Sequence, residues 1–140
     1  LVRMMTTIAN DGKEVHPHVI KMIGERTIER YDSNKEIAFD QSVLKIIQKA
    51  LRQAVVETSG TAHVLNIEGL YVAGKTGTAQ WQKEKTPHAW FTGFYPYKNP
   101  DLAFSILVEE GGEGSGVATD IAKDFLNWYI GHNSKIKVQK

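Results

Sequence analysis

Seven consecutive residues, Gly74-Lys75-Thr76-Gly77-Thr78-Ala79-Gln80, set one ammonium and two hydroxyls close together on a glycine-broken stretch. If that stretch is a β-strand, alternation puts Thr76 and Thr78 on the same face. Gly77 has no Cβ, so another backbone can come close there. A cation beside two hydroxyls suits a carboxylate, and the amides of a strand edge suit an extended peptide laid along it. The same residues also end a formal phosphate-loop match, Gly69-Leu70-Tyr71-Val72-Ala73-Gly74-Lys75-Thr76, with the spacing Gly-x-x-x-x-Gly-Lys-Ser/Thr. Leu70, Tyr71 and Val72 are strand formers, however, and Gly77 would weaken the helix that such a loop opens into. The expectation is a carboxylate cradle made of Lys75, Thr76, Gly77 and Thr78.

Other groupings of reactive side chains carry less. His16 and His18 flank Pro17 at strand-like spacing, but no neighbouring Cys or acidic pair completes a metal site. His63, His88 and His132 are scattered and read as surface histidines. Glu109-Glu110-Gly111-Gly112-Glu113 lacks the alternating oxygen spacing of a calcium loop and reads as a solvated acidic turn. No metal and no cofactor are expected. Lys plus Arg number 17 and Asp plus Glu 16, a formal net charge of +1, which argues against nucleic acid as a partner. The 140 residues contain no cysteine, so disulfides and thiolate metal sites are excluded while the compartment stays open. No apolar run approaches the ~20 residues needed to cross a bilayer, and no signal-peptide layout opens the chain. Direct membrane contact is therefore not expected of these residues.

The elements that would position the cradle follow from periodicity. Leu1, Met4, Met5 and Ile8 have helical spacing and Asn10-Asp11-Gly12 is a natural stop. With no N-cap before Leu1, this reads as the last turns of a helix that begins earlier. Residues 15–23 and 26–31 suggest two short strands around a Gly24 turn, followed by a polar loop at 32–35. Val43, Ile46, Ile47, Ala50, Leu51, Ala54 and Val55 predict an amphipathic helix with Ser42 as N-cap and Ser59-Gly60 as terminator. Residues 70–80 follow, then an exposed loop at 81–87, then a strand pair at 89–97 and 102–109 joined by Lys98-Asn99-Pro100-Asp101. A loop at 111–116 leads into a last amphipathic helix from Val117 to Ile130, closed by Gly131, with Phe125, Trp128 and Tyr129 expected in the core. Residues 134–140 form a polar, basic tail. Consecutive strands on short turns are most simply antiparallel, which gives an α+β fold with helices flanking one antiparallel sheet.

Gly74 to Gln80, followed by His88-Ala89-Trp90-Phe91-Thr92-Gly93-Phe94-Tyr95-Pro96, the strand at 102–109 and the closing helix, resembles the end of a penicillin-binding protein transpeptidase domain. Lys-Thr-Gly is one of that superfamily's three signatures, beside Ser-x-x-Lys and Ser-Asp-Asn. Upstream, Gly60-Thr61-Ala62 and His16 to Val19 resemble the turn and the segment that precede the Lys-Thr-Gly strand. The likeness covers nearly the whole chain, in order, and fits class B, elongation-type enzymes. It implies the C-terminal portion (1–140) of the β-lactamase/transpeptidase-like fold, on the extracytoplasmic side of a bacterial membrane and anchored through a segment outside this chain. Lys75, Thr76, Gly77 and Thr78 would hold the carboxylate of a peptidoglycan stem peptide or a β-lactam. Lys75 and Thr78 would also serve the chemistry, the Thr78 N–H as one oxyanion-hole donor.

The pattern breaks at the nucleophile. Ser42-Val43-Leu44-Lys45 and Ser134-Lys135-Ile136-Lys137 fit Ser-x-x-Lys, but Ser42 is expected as a helix cap and Ser134 lies in the tail. Tyr97-Lys98-Asn99 fits the second signature only within a hairpin turn. A docking strand without a nucleophile and its base performs no acyl transfer. This chain alone is thus expected to be inactive, with the N-terminal part of the domain as its partner. Two rivals remain at this point: a non-catalytic β-lactam sensor or binding module of the same fold, and a nucleotide site on the phosphate-loop match.

Overall fold

Met5 and Ala9, one turn apart, bury the same side of α1 (Val2–Ala9). Beyond it come the two-residue strands β1 (Met22–Ile23) and β2 (Arg26–Thr27), paired antiparallel. Helix α2 (Gln41–Val56) leads to a short 3-10 turn at His63–Leu65 and to strands β3 (Ala73–Ala79), β4 (His88–Tyr95) and β5 (Leu102–Val108). A wide turn at Gly114–Ala118 then enters α3 (Thr119–His132). The computed structural model describes residues 1–20, 22–27 and 39–133. The expected strand segment at 28–31, the loop at 32–35 and the tail at 134–140 lie outside the described residues.

The sheet has the order β3-β4-β5, every pair antiparallel. Its register decides what each face does, because successive side chains alternate. Phe94 pairs with Ala73 on one side and Ala103 on the other. These three form one face, against which Met5 and Ala9 of α1 pack. Phe91, Tyr95 and Phe104 project from the opposite face and pack with Ala122 and Leu126 of α3. Phe91 and Phe94 are fully buried, and each such side chain contributes about 1.5–3 kcal/mol over its exposed state. Helix α2 supplies Val55 to one core and Leu51 to the other, so it closes the β3 side. Arg52 fastens that junction, its guanidinium donating to the Val72 carbonyl at 2.7 Å and lying over the Tyr71 ring.

Several expectations change here. Residues 70–72 precede β3 instead of belonging to it, and the strand expected over 15–23 shrinks to Met22–Ile23. The cap of α2 is Asp40, whose carboxylate accepts from the Ser42 N–H at 2.8 Å, rather than Ser42 itself. Only part of the apolar stripe on α2 faces the core. Leu44, Gln48 and Val55 are buried, while Val43 and Ile46 are exposed at 46% and 67%. Gln48 is buried because its amide donates to the Ile8 carbonyl and the Asp11 carboxylate, a contact no hydropathy pattern encodes. The closing helix starts at Thr119 and passes through Gly131 to His132, since Gly116 breaks the helical path before it. Phe125 and Tyr129 pack against the core, but Trp128 is 56% exposed and stacks on His132.

Asp11, at φ +53°, stands where α1 turns toward α2. Its carboxylate accepts from the Lys45 ammonium at 2.7 Å and the Gln48 amide at 2.8 Å, and these bonds hold its pKa below the ordinary 3.8. A carboxyl depressed by folding contributes stability present above its unfolded value and lost as pH falls through the folded one. Asp11→Asn, which tolerates the same backbone, should therefore lower stability at pH 6. The difference from wild type should shrink as pH falls below about 3.8 and vanish once pH passes the lower folded value in unfolding curves. Half of the Asp11 side chain is exposed, so the gap should stay under about 1 kcal/mol. A gap that widens in acid would contradict the assignment.

Candidate functional site

Because β3 is an edge strand of the described sheet, its outer side is open to a further strand and its side chains can wrap around the rim. Thr76 and Thr78 share the face of Phe91 and Ala89, their cross-strand partners, whereas Lys75 pairs with Thr92 on the opposite face. Lys75 nevertheless joins them. Its stem folds back so that Nζ donates to the Thr76 carbonyl at 2.9 Å and lies 3.4 Å from Thr76 Oγ1. Among the described residues no carboxylate lies within ion-pair distance of that ammonium. Lys75 and Thr78 are exposed and Thr76 is half-buried.

Each hydroxyl has a fixed partner. Thr76 Oγ1 donates to Thr61 Oγ1 at 2.6 Å. Thr78 Oγ1 accepts from the Gly114 N–H at 3.2 Å. Gly114 sits over the backbone of the Gly77–Trp90 pair: a Cβ added to it would fall 2.3 Å from the Gly77 carbonyl oxygen and 2.5 Å from that of Trp90. A Cβ on Gly77 would meet only the Trp90 Cβ, at 3.3 Å. The four predicted residues are thus gathered on one rim. Thr61 and Gly114, to which sequence reasoning gave no role in the cradle, buttress it from the turn after α2 and the turn before α3.

The alternative motifs separate. Residues 73–76 are strand and not an anion-wrapping loop, which overturns the phosphate-loop reading. Lys45 is engaged with Asp11 and Gln48, and Ser42 opens α2 beside Asp40. Ser134 and Lys137 lie outside the described residues. Asn99 occupies a left-handed turn position at φ +52°. No group of three or more His, Asp or Glu among the described residues is placed to hold a metal ion.

A cleft of about 450 Å³ opens at the far end of the β3–β4 ladder, lined by Trp81, His88, Glu109 and Glu110. The Trp81 indole stacks on the His88 imidazole at 5.5 Å, and His88 Nδ1 accepts from the Glu110 N–H at 3.0 Å. His88, read as a surface residue, opens β4 and is built into a wall that contains none of the predicted cradle residues.

The sequence profile of the family described as "Penicillin binding protein transpeptidase domain" matches residues 1–127. The chain belongs to that family. Peptidoglycan D,D-transpeptidase MrdA of Haemophilus influenzae is 29% identical over 150 residues, an overlap covering 93% of this chain and 23% of that protein. The chain thus spans about a quarter of that relative's length. Among solved structures, Pseudomonas aeruginosa PBP2 superposes with a TM-score of 0.80 at 33% identity, over 96% of this chain and 30% of that one. The imipenem acyl-enzyme complex of penicillin-binding protein A from M. tuberculosis superposes with a TM-score of 0.71 at 26% identity, over 90% and 29%. The α+β transpeptidase fold expected from the sequence is the fold observed. No described helix is long and apolar enough to cross a membrane.

Proposed function

We propose that this chain is the C-terminal portion of a class B, elongation-type D,D-transpeptidase that cross-links peptidoglycan, and that β3 is its substrate-docking strand. The observation that carries the reading is the Lys75 ammonium, folded round the open edge to Thr76 and paired with no described carboxylate. An uncommitted cation beside two hydroxyls attracts an anion, and charge-assisted bonds to a carboxylate are the strong kind. Lys75, Thr76 and Thr78 hold the terminal carboxylate of a stem peptide or the carboxylate of a β-lactam, and the peptide backbone pairs along the rim. Gly77 keeps the open face free of a side chain at that point.

In the complete enzyme a serine outside this chain adds to the penultimate D-Ala carbonyl, with the Thr78 N–H as one donor to the oxyanion. Terminal D-Ala leaves, and the acyl group passes to an acceptor amine. The remainder of the domain covers the apolar side chains that α1 and α2 leave exposed, among them Met4, Val43 and Ile46, since apolar surface of this kind marks an interface. The enzyme acts on the extracytoplasmic face, held there by a segment outside these residues, and needs no metal or cofactor.

Fluorescent penicillin tests this. The full-length protein should give a covalent, denaturation-resistant band, and the 140-residue chain none. A band on the short chain would overturn the assignment of the nucleophile to another segment. An unlabelled full-length protein would overturn the reading altogether.

A further inference from the structure

We infer that Thr61 is a positioning residue for the docking strand, acting through Thr76; the inference rests on the docking-strand reading above. The turn that carries Thr61 is anchored on both sides. Gly60 lies so close to the last turn of α2 that a Cβ there would fall 2.3 Å from the Ala54 carbonyl oxygen. That same carbonyl accepts from the Ala62 N–H at 3.0 Å, and the Gly60 carbonyl accepts from the His63 N–H at 3.0 Å. Ala62 and Leu65 are fully buried. Thr61 is exposed, yet its backbone is fixed, and a β-branched side chain adds a stiff χ1. Its hydroxyl therefore meets Thr76 Oγ1, at 2.6 Å, from a support that does not depend on β3.

A hydroxyl has one hydrogen to donate and two lone pairs. As the pair stands, Thr76 donates to Thr61, so its hydrogen is directed away from the open rim. Lys75 supplies one charged donor beside it. When a carboxylate arrives, the Thr61 hydroxyl rotates and donates to Thr76 Oγ1, which releases the Thr76 hydrogen to the carboxylate. The pair turns over without any heavy atom moving, and Thr61 never touches the ligand. Removing the Thr61 hydroxyl loosens the Thr76 rotamer and leaves its oxygen without that donor.

The test uses the full-length protein and fluorescent penicillin, with the encounter constant and the acylation rate measured separately. Thr61→Val should lower acylation efficiency about tenfold, the value of one good hydrogen bond, chiefly by weakening the encounter. Thr61→Ser should recover most of the loss. Thr61→Val combined with Thr76→Val should be no worse than Thr76→Val alone, because both remove the same interaction. If the valine variant does not fold, Thr61→Ala replaces it in the same cycle. An efficiency within twofold of wild type for the hydroxyl-free variant, a serine variant as poor as valine, or losses that multiply in the double variant would each overturn the role of Thr61. Labelling of the parent that survives Lys75→Ala at full efficiency would instead sink the docking-strand reading, and this inference with it.

Discussion

Replacing Lys75 by alanine should lower the efficiency with which penicillin acylates the full-length protein by ten- to a hundredfold. The estimate comes from the loss of hydrogen bonds to a charged partner, about 1.5–3 kcal/mol, at roughly 1.4 kcal/mol per factor of ten. Lys75 makes no described ion pair and lies exposed beside Thr76, so its removal strands no buried carboxylate and should leave the unfolding temperature nearly unchanged. That separation makes the test sharp, because the loss falls on the encounter with the ligand and not on folding. Raising the salt concentration should slow wild type toward the variant, since an exposed ammonium is screened within ~8 Å at physiological ionic strength. Lys75→Arg should recover part of the loss, because it keeps the charge but presents a planar fork in place of a point charge. If Lys75→Ala labels within twofold of wild type at every salt concentration, the rim around β3 is not where the carboxylate docks.

The parts of the fold legible in the sequence are those specified by local pattern. Alternation predicted β4 and β5 within two residues at each end, because Phe91, Tyr95 and Phe104 must all reach one core and Phe94 the other. Lys75, Thr76 and Thr78 could be grouped because three residues of a strand edge meet whatever the rest of the chain does. Contacts between distant segments were not legible. Thr61 meets Thr76 across 15 positions and Gly114 meets Thr78 across 36, and nothing at either glycine-turn reports its partner. The burial of Gln48 and the exposure of Val43, Ile46 and Trp128 ran against hydropathy for a related reason. Gln48 has two acceptors waiting on α1 and its turn, whereas the exposed apolar side chains have no element of the described fold above them. Asp40 displaced Ser42 as cap because either side chain can accept a free first-turn amide, and two residues of helix phase decided between them.

Gly114→Ala should be strongly damaging for a single added methyl. The added Cβ would lie 2.3 Å from the Gly77 carbonyl oxygen, 2.5 Å from the Trp90 carbonyl oxygen and 2.9 Å from the Gly77 nitrogen. All three are backbone atoms of one cross-strand pair, so no side chain can rotate away and the turn itself must lift. Overpacking of this kind costs about 1–3 kcal/mol, and the turn is also the entrance to α3, where the buried Thr119 hydroxyl donates to the Gly116 carbonyl at 2.7 Å and lies 2.9 Å from the Ser115 carbonyl. Lifting it withdraws the Gly114 N–H from Thr78 Oγ1, leaving that hydroxyl free to rotate out of register with Thr76. Unfolding of the full-length protein should therefore shift down by several degrees, and acylation of the fraction still folded should slow about tenfold, as for the loss of one hydrogen bond to the site. Gly131→Ala is the matched control: a Cβ there meets nothing within 4 Å, and in the last turn of α3 alanine should be neutral or stabilise by up to about 1 kcal/mol. If both variants unfold with wild type, the turn does not press on β3 as the geometry requires. If Gly114→Ala unfolds early but acylates at the wild-type rate per folded molecule, the turn supports the sheet without setting the Thr78 hydroxyl.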